Sequence, residues 1–152
     1  MSNSEITPAR DDDLPAIIDL LKTCGLPYTD LTLAHLTEFR VVRDGERLIA
    51  LGGLEFCREA ALLRSFAVLP AFREQGLARH LLAVLEQHAL ATGHQNIYLL
   101  TNTARSYFAR RGFWPLAREQ APAAIAACPE FRSLCPVSAV FMRKALCGRV
   151  LS

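Results

Sequence analysis

A chain of 152 residues fits one domain that buries roughly two thirds of the surface its unfolded form exposes, and a single domain over 1–147 with a short tail at 148–152 is expected. The formal net charge is only +2, with basic residues scattered among acids, which argues against the concentrated basic stripe of a nucleic-acid binder. Apolar runs such as Phe66-Ala67-Val68-Leu69 fall far short of the ~20 residues of a membrane span, and the polar start Met1-Ser2-Asn3-Ser4-Glu5 lacks the order of a secretory signal, so no membrane partner and a cytoplasmic location are expected.

Ile6-Thr7 opens a strand, and Asp11-Asp12-Asp13 offers an N-cap and first-turn negative charge to a helix carrying Leu14, Ile17, Ile18 and Leu21, stopped by Gly25. A shorter helix around Leu33 and Leu36 follows. Phe39 to Arg43 and Arg47 to Phe56 flank the turn pair Asp44-Gly45 and read as an antiparallel hairpin, extended by a third strand from Ala61 to Leu69. From Gly76 the period changes, and Leu77, Leu81, Leu82 and Leu85 mark one face of a helix ended by Gly93. Asn96 to Leu100 is a buried strand, Ala104 to Arg111 a helix, Phe113 to Ala117 a strand and the stretch after Pro122 a short helix. After a loop from Cys128 to Pro136, Val137 to Arg143 makes the last strand. This order predicts an α/β chain of the α+β type, a mixed, mostly antiparallel sheet flanked by helices.

The five cysteines, at 24, 57, 128, 135 and 147, form an odd set with no CxxC pair and no Cys/His cluster of zinc spacing. They are read as small buried hydrophobes, with no disulfide framework and no metal. Cys128 and Cys135 do bracket a loop able to present thiols to a soft metal or metalloid.

The segment from Leu62 to Arg79 joins a strand to a helix through a tight loop, Arg73-Glu74-Gln75-Gly76-Leu77-Ala78-Arg79. Amides at the start of a helix have no intrahelical acceptor and point outward, and the helix dipole adds positive potential, so a diphosphate fits there. Gly76 admits a close phosphate, Ala78 keeps the next turn uncluttered, and Arg73 or Arg79 adds charge.

This stretch resembles motif A of the GNAT superfamily of N-acetyltransferases, with Arg73-Glu74-Gln75-Gly76-Leu77-Ala78 standing as (Arg/Gln)-x-x-Gly-x-(Gly/Ala). Downstream, Ala104-Arg105-Ser106-Tyr107-Phe108-Ala109-Arg110-Arg111-Gly112-Phe113 is similar to a second element of that family. The resemblance implies acetyl-CoA as co-substrate, a V-shaped split between the two central strands, and a small-molecule amine as acceptor. It implies that the backbone of Phe66, Ala67 and Val68 pairs with pantetheine, that residues 73–79 hold the diphosphate, and that Phe108 lines the cofactor. An amide near Ala67 becomes the oxyanion donor. More narrowly, Leu63 to Val68, Leu99-Leu100-Thr101, Tyr107 to Phe113 and Glu130 to Ala139 resemble small GNAT proteins associated with arsenic-resistance operons, and more loosely the acetyltransferase domain of N-acetylglutamate synthase. An amino-acid-like substrate follows, glutamate or an arsenic-bearing analogue. A protein or peptide acceptor and a non-catalytic acetyl-CoA-binding regulator are the alternatives, and a homodimer is common among similar proteins.

Two departures from the family pattern matter. The position of the usual general-acid tyrosine, four residues before Gly112, is Phe108, which cannot donate a proton; neighbouring Tyr107 is the candidate acid, against a packing role. Where some GNAT enzymes carry a basic glutamate there is Leu62, and Glu55 on the preceding strand is the candidate base, against a solvated strand-end acid. Arg64 shares a face with Leu62 and Phe66 by two-residue alternation and demands a partner, either an internal carboxylate such as Glu55 or an oxyanion of the substrate. Arg132 and Ser133 offer a second anion-binding pair on the late loop, against simple solvation.

Overall fold

The computed structural model describes residues 5–57, 60–128, 131 and 139–146. Seven strands form one sheet in the order β1-β2-β3-β4-β5-β7-β6. In chain order these are β1 Ile6–Pro8, β2 Phe39–Asp44, β3 Arg47–Cys57, β4 Ala60–Val68, β5 Asn96–Thr101, β6 Trp114–Leu116 and β7 Val140–Ala145. The helices are α1 Leu14–Thr23, α2 Leu77–Ala91, α3 Arg105–Arg110 and α4 Ala123–Ala126. The mixed character comes from β4 and β5, which run parallel through Ala61↔Ile97 and Leu62↔Tyr98, whereas β1–β2, β2–β3, β5–β7 and β6–β7 are antiparallel. Strand β7 inserts between β5 and β6, a long-range pairing that strand order in the sequence does not reveal.

By their contacts the residues fall into two compact units, Met1–Glu55 with Arg64–Gln87 and Phe56–Leu63 with His88–Ser152. In the first, the apolar stripe of α1 buries Ile17, Leu20 and Leu21, and that of α2 buries Leu81, Leu82 and Leu85. Strands β2 and β3 bury Phe39, Val41, Val42, Ile49, Leu51 and Leu54. Each such side chain contributes about 1.5–3 kcal/mol by leaving water. The pair Gly52-Gly53 in β3 lets both faces close: a Cβ on Gly52 would meet Leu85 Cδ1 at 2.9 Å, and one on Gly53 would fall within the ring of Phe39. In the second unit, Leu62, Tyr98, Ile125, Cys128 and Phe141 form the core, with the Tyr98 and Phe141 rings stacked at 5.7 Å.

Three expectations change. Asp13 does not cap α1 with its side chain; its Oδ2 accepts from the Arg10 amide at 2.7 Å and from Arg43 at 2.6 Å, so the cluster of aspartates anchors β2 as well as starting the helix. Cys57 and Cys128 are joined in a disulfide, contrary to the unbonded reading. The two are 71 residues apart, so nothing in local spacing announces the pair, although Cys128 is buried among apolar residues as anticipated. Strand β7 begins at Val140, later than Val137, and runs to Ala145. Cys135 lies outside the described residues, and with it the thiol loop it brackets. Among the described residues no helix is long and apolar enough to cross a membrane.

Candidate active site

Strand β4 ends at Val68, a 3₁₀ turn occupies Pro70–Phe72, and α2 starts at Leu77. Between them Glu74 and Gly76 both take left-handed backbone angles, φ 65° and 82°. Left-handed residues turn successive amides toward one side, making a nest for an anion. Among the described residues His80 is the first of this run to donate a hydrogen bond, to the Gly76 carbonyl at 3.1 Å, and the amides of residues 75–79 have no acceptor. Gln75, Gly76 and Arg79 are exposed, and a Cβ on Gly76 would meet nothing within 4 Å, so the space over this corner is open. Glycine at φ 82° relieves a backbone strain that other residues bear at about 1–2 kcal/mol. The run thus fits a diphosphate group: unpaired donors, a helix dipole behind them and room in front.

Arg73 has an additional job. Its Nε donates to the Val68 carbonyl at 2.8 Å and a terminal nitrogen lies 3.8 Å from Cys24 Sγ, so it staples the loop to the end of β4.

Within β4, Ser65 has φ 57°, a left-handed residue in a strand, which marks a bulge two residues before Ala67. The bulge overturns the expectation that Arg64 and Phe66 share a face. Phe66 lies beside Gly52 with Leu81 and Leu85 of α2. Arg64 instead reaches Glu55, which by strand alternation points away from Gly52. The Arg64 side chain is fully buried and engaged: Nε donates to Ser65 Oγ at 3.2 Å, and the two terminal nitrogens donate to Asp30 Oδ1 and Oδ2 at 2.7 Å each. One of them also donates to Glu55 Oε1 at 3.0 Å. Of the two partners expected for Arg64, the structure therefore supplies the internal one, twice over. The Arg64 hydrogen bond holds the Asp30 carboxyl below its ordinary range against the opposing effect of burial. His35 completes the group, with Nε2 3.9 Å from Glu55 Oε2. The sequence demanded a counter-charge for Arg64, but Asp30 is 34 residues away and carries no local mark of its role.

In α3, Phe108 is 7% exposed and packs edge-on against Tyr107 and Phe113, with ring centroids 5.4 Å away in both cases. Tyr107 has the Arg111 guanidinium 4.7 Å above its ring, and its hydroxyl is buried with no hydrogen-bond partner among the described residues. Burying a hydroxyl unpaired costs about 1–3 kcal/mol, so this oxygen calls for a partner that the described residues do not supply. Arg132 and Ser133 lie outside the described residues.

The family described as Acetyltransferase (GNAT) family matches residues 9–113. The amino-acid acetyltransferase of Pseudomonas aeruginosa PAO1 is 35% identical over 74 residues, 49% of this chain and 17% of that protein. That of Pseudomonas syringae pv. tomato is 31% identical over 100 residues, 64% of this chain and 23% of that protein. The chain thus spans about a fifth of the length of the curated relatives it matches. N-acetylglutamate synthase from Neisseria gonorrhoeae, solved with coenzyme A and N-acetyl-glutamate, superposes with a TM-score of 0.81 at 20% identity, over 96% of this chain and 36% of that one. Rv2747 from Mycobacterium tuberculosis, solved with CoA and NLQ, gives 0.78 at 22% identity over 94% and 99%.

Proposed function

The chain belongs to the acetyltransferase (GNAT) family, and from that premise we infer that it transfers the acetyl group of acetyl-CoA to the amine of a small amino-acid-like substrate by direct attack. The observation that carries this reading is the run of amides at residues 75–79, without an acceptor among the described residues, at the start of α2 beside an open glycine corner. These amides hold the diphosphate, with Arg79 adding charge, while the backbone of Phe66, Ala67 and Val68 pairs with the pantetheine arm. Acetyl-CoA supplies an activated acyl group on a thiol leaving group.

This chain's residues then do the rest. The Ala67 amide, two residues past the bend at Ser65, faces the charge that develops on the carbonyl oxygen. Glu55, 19% exposed and held by Arg64, takes the proton of the attacking amine. Tyr107, whose buried hydroxyl has no partner among the described residues, gives a proton to the departing thiol. Arg132 and Ser133 bind the carboxylate of the acceptor. The relatives named as amino-acid acetyltransferases and the synthase solved with N-acetyl-glutamate support an α-amino acid acceptor. The resemblance to proteins of arsenic-resistance operons supports a glutamate-like or arsenic-bearing analogue.

The test is thiol release from acetyl-CoA across a panel of amino acids and short peptides. Turnover with glutamate-like amines is expected. Turnover confined to peptides, or tight acetyl-CoA binding without turnover, contradicts the reading.

A further inference from the structure

Three arginines lie in or next to α3, and only one turns inward: Arg105 and Arg110 are exposed, whereas Arg111 is half-buried. Its Nε is buried without a hydrogen-bond partner, and among the described residues its guanidinium forms no ion pair with a carboxylate. A cation withdrawn from water needs compensation. Two features provide it. Arg111 is the C-cap of α3, where the terminal carbonyls favour a positive charge. Its guanidinium carbon also lies 4.7 Å from the centre of the Tyr107 ring, over the face that attracts cations. The spacing of four residues brings the two side chains together on one flank of the helix.

Tyr107 is thereby held by two neighbours. The guanidinium covers its face, and the Phe108 ring stands at 83° to it with centroids 5.4 Å apart. No hydrogen bond among the described residues fixes the Tyr107 hydroxyl, so its direction is set by how the ring is held.

The geometry points to Arg111 as a positioning residue of the transfer reaction: it fixes the ring of Tyr107 and sets a positive charge over the phenolate that forms when the hydroxyl gives up its proton. This rests on the reading of Tyr107 as the acid given above. In that step the Oη–H bond of Tyr107 breaks, the proton bonds to the sulfur of the departing coenzyme A, and the electron pair stays on Oη. A proton from water then restores the phenol while Glu55 returns the proton of the amine to water, so the cycle closes without a further reactant. Opposite charges attract more strongly where water is scarce than in bulk solution. An arginine bound to a carboxylate is largely neutralised, and among the described residues Arg111 has no such partner.

Two measurements test it. The first needs no substrate: a crystal structure of Arg111→Ala should show the Tyr107 ring turned from its place beneath the guanidinium, and a ring that stays there overturns the inference. The second is single-turnover thiol release with the best amine of the amino-acid panel. Arg111→Gln keeps a flat polar group over the ring but removes the charge, and should slow release about tenfold while leaving the Kd for acetyl-CoA unchanged. Arg111→Lys keeps the charge and should recover a good part of the loss, and in the Tyr107→Phe background Arg111→Gln should cost nothing further. Equal losses in the two backgrounds with Tyr107→Phe itself impaired, or no recovery with lysine, overturn the positioning role alone. A Tyr107→Phe variant that releases thiol as fast as the parent overturns the acid role of Tyr107 and this inference together.

Discussion

The corner at residues 75–79 and the cluster at Arg64 are both built to handle charge, but by different means. The corner uses main-chain amides: Gly76 and Glu74 in left-handed conformations, a helix start behind them and no side-chain partner among the described residues. The cluster uses four side chains brought together from a turn, a 3₁₀ helix and two strands, with contacts spanning 34 residues between Asp30 and Arg64 and 9 between Glu55 and Arg64. A backbone site is a local property, set by a few consecutive residues, and tolerates most changes of side chain. A side-chain site exists only once the topology has assembled it, and loses its charge balance when any member is removed.

Substitutions can break this contrast. The largest effect is expected at Arg64→Met, which leaves two partly buried carboxylates without their cation and costs about 3–5 kcal/mol, read as a drop in thermal stability. At the corner, Gly76→Asp should leave the fold nearly intact, since its side chain meets open space. A carboxylate set beside a diphosphate, together with the φ strain, should weaken coenzyme A binding roughly a hundredfold by calorimetry. Tyr107→Phe removes the buried hydroxyl that has no partner among the described residues; the expected result is a fall in kcat of about tenfold or more at unchanged acetyl-CoA KM, since general acid catalysis is often worth about 10²-fold. The smallest effect is on acid stability. Burial pushes Asp13 up, but Arg43 and the Arg10 amide outweigh it, so Asp13 and Asp30 both titrate below 3.8 when folded. Unfolded aspartates take up protons first as pH falls, so the stabilisation is complete above about pH 5 and is lost as pH drops through the folded values. Asp13→Asn should flatten that acid limb by about 1 kcal/mol in urea unfolding at pH 7 against pH 3.

The contrast also explains what could be read in advance. The four α-helices and the seven strands were legible because their apolar periods, turn residues and glycines are local, and Gly76 announced its corner for the same reason. The insertion of β7 between β5 and β6 was not, because strand order depends on pairing across the chain. The face shared by Arg64 and Phe66 was misjudged because one residue, Ser65 at φ 57°, breaks the alternation, and a serine in an apolar strand carries no sign of a bulge. Buried Arg64 demanded a carboxylate, and Glu55 on the adjacent strand was found by proximity. Asp30 was not, since any acid of the chain satisfies the same demand until the fold selects one.

Coenzyme A binding at this corner depends on the amides of residues 75–79 holding a diphosphate. Its direct test is a titration of the backbone amide resonances of the ¹⁵N-labelled protein with coenzyme A, using pantetheine, which lacks the diphosphate, as control. The amides of Gln75, Gly76, Leu77, Ala78 and Arg79 should move with coenzyme A and stay still with pantetheine. Movement of those five with pantetheine alone, or none with coenzyme A at saturation, would contradict it.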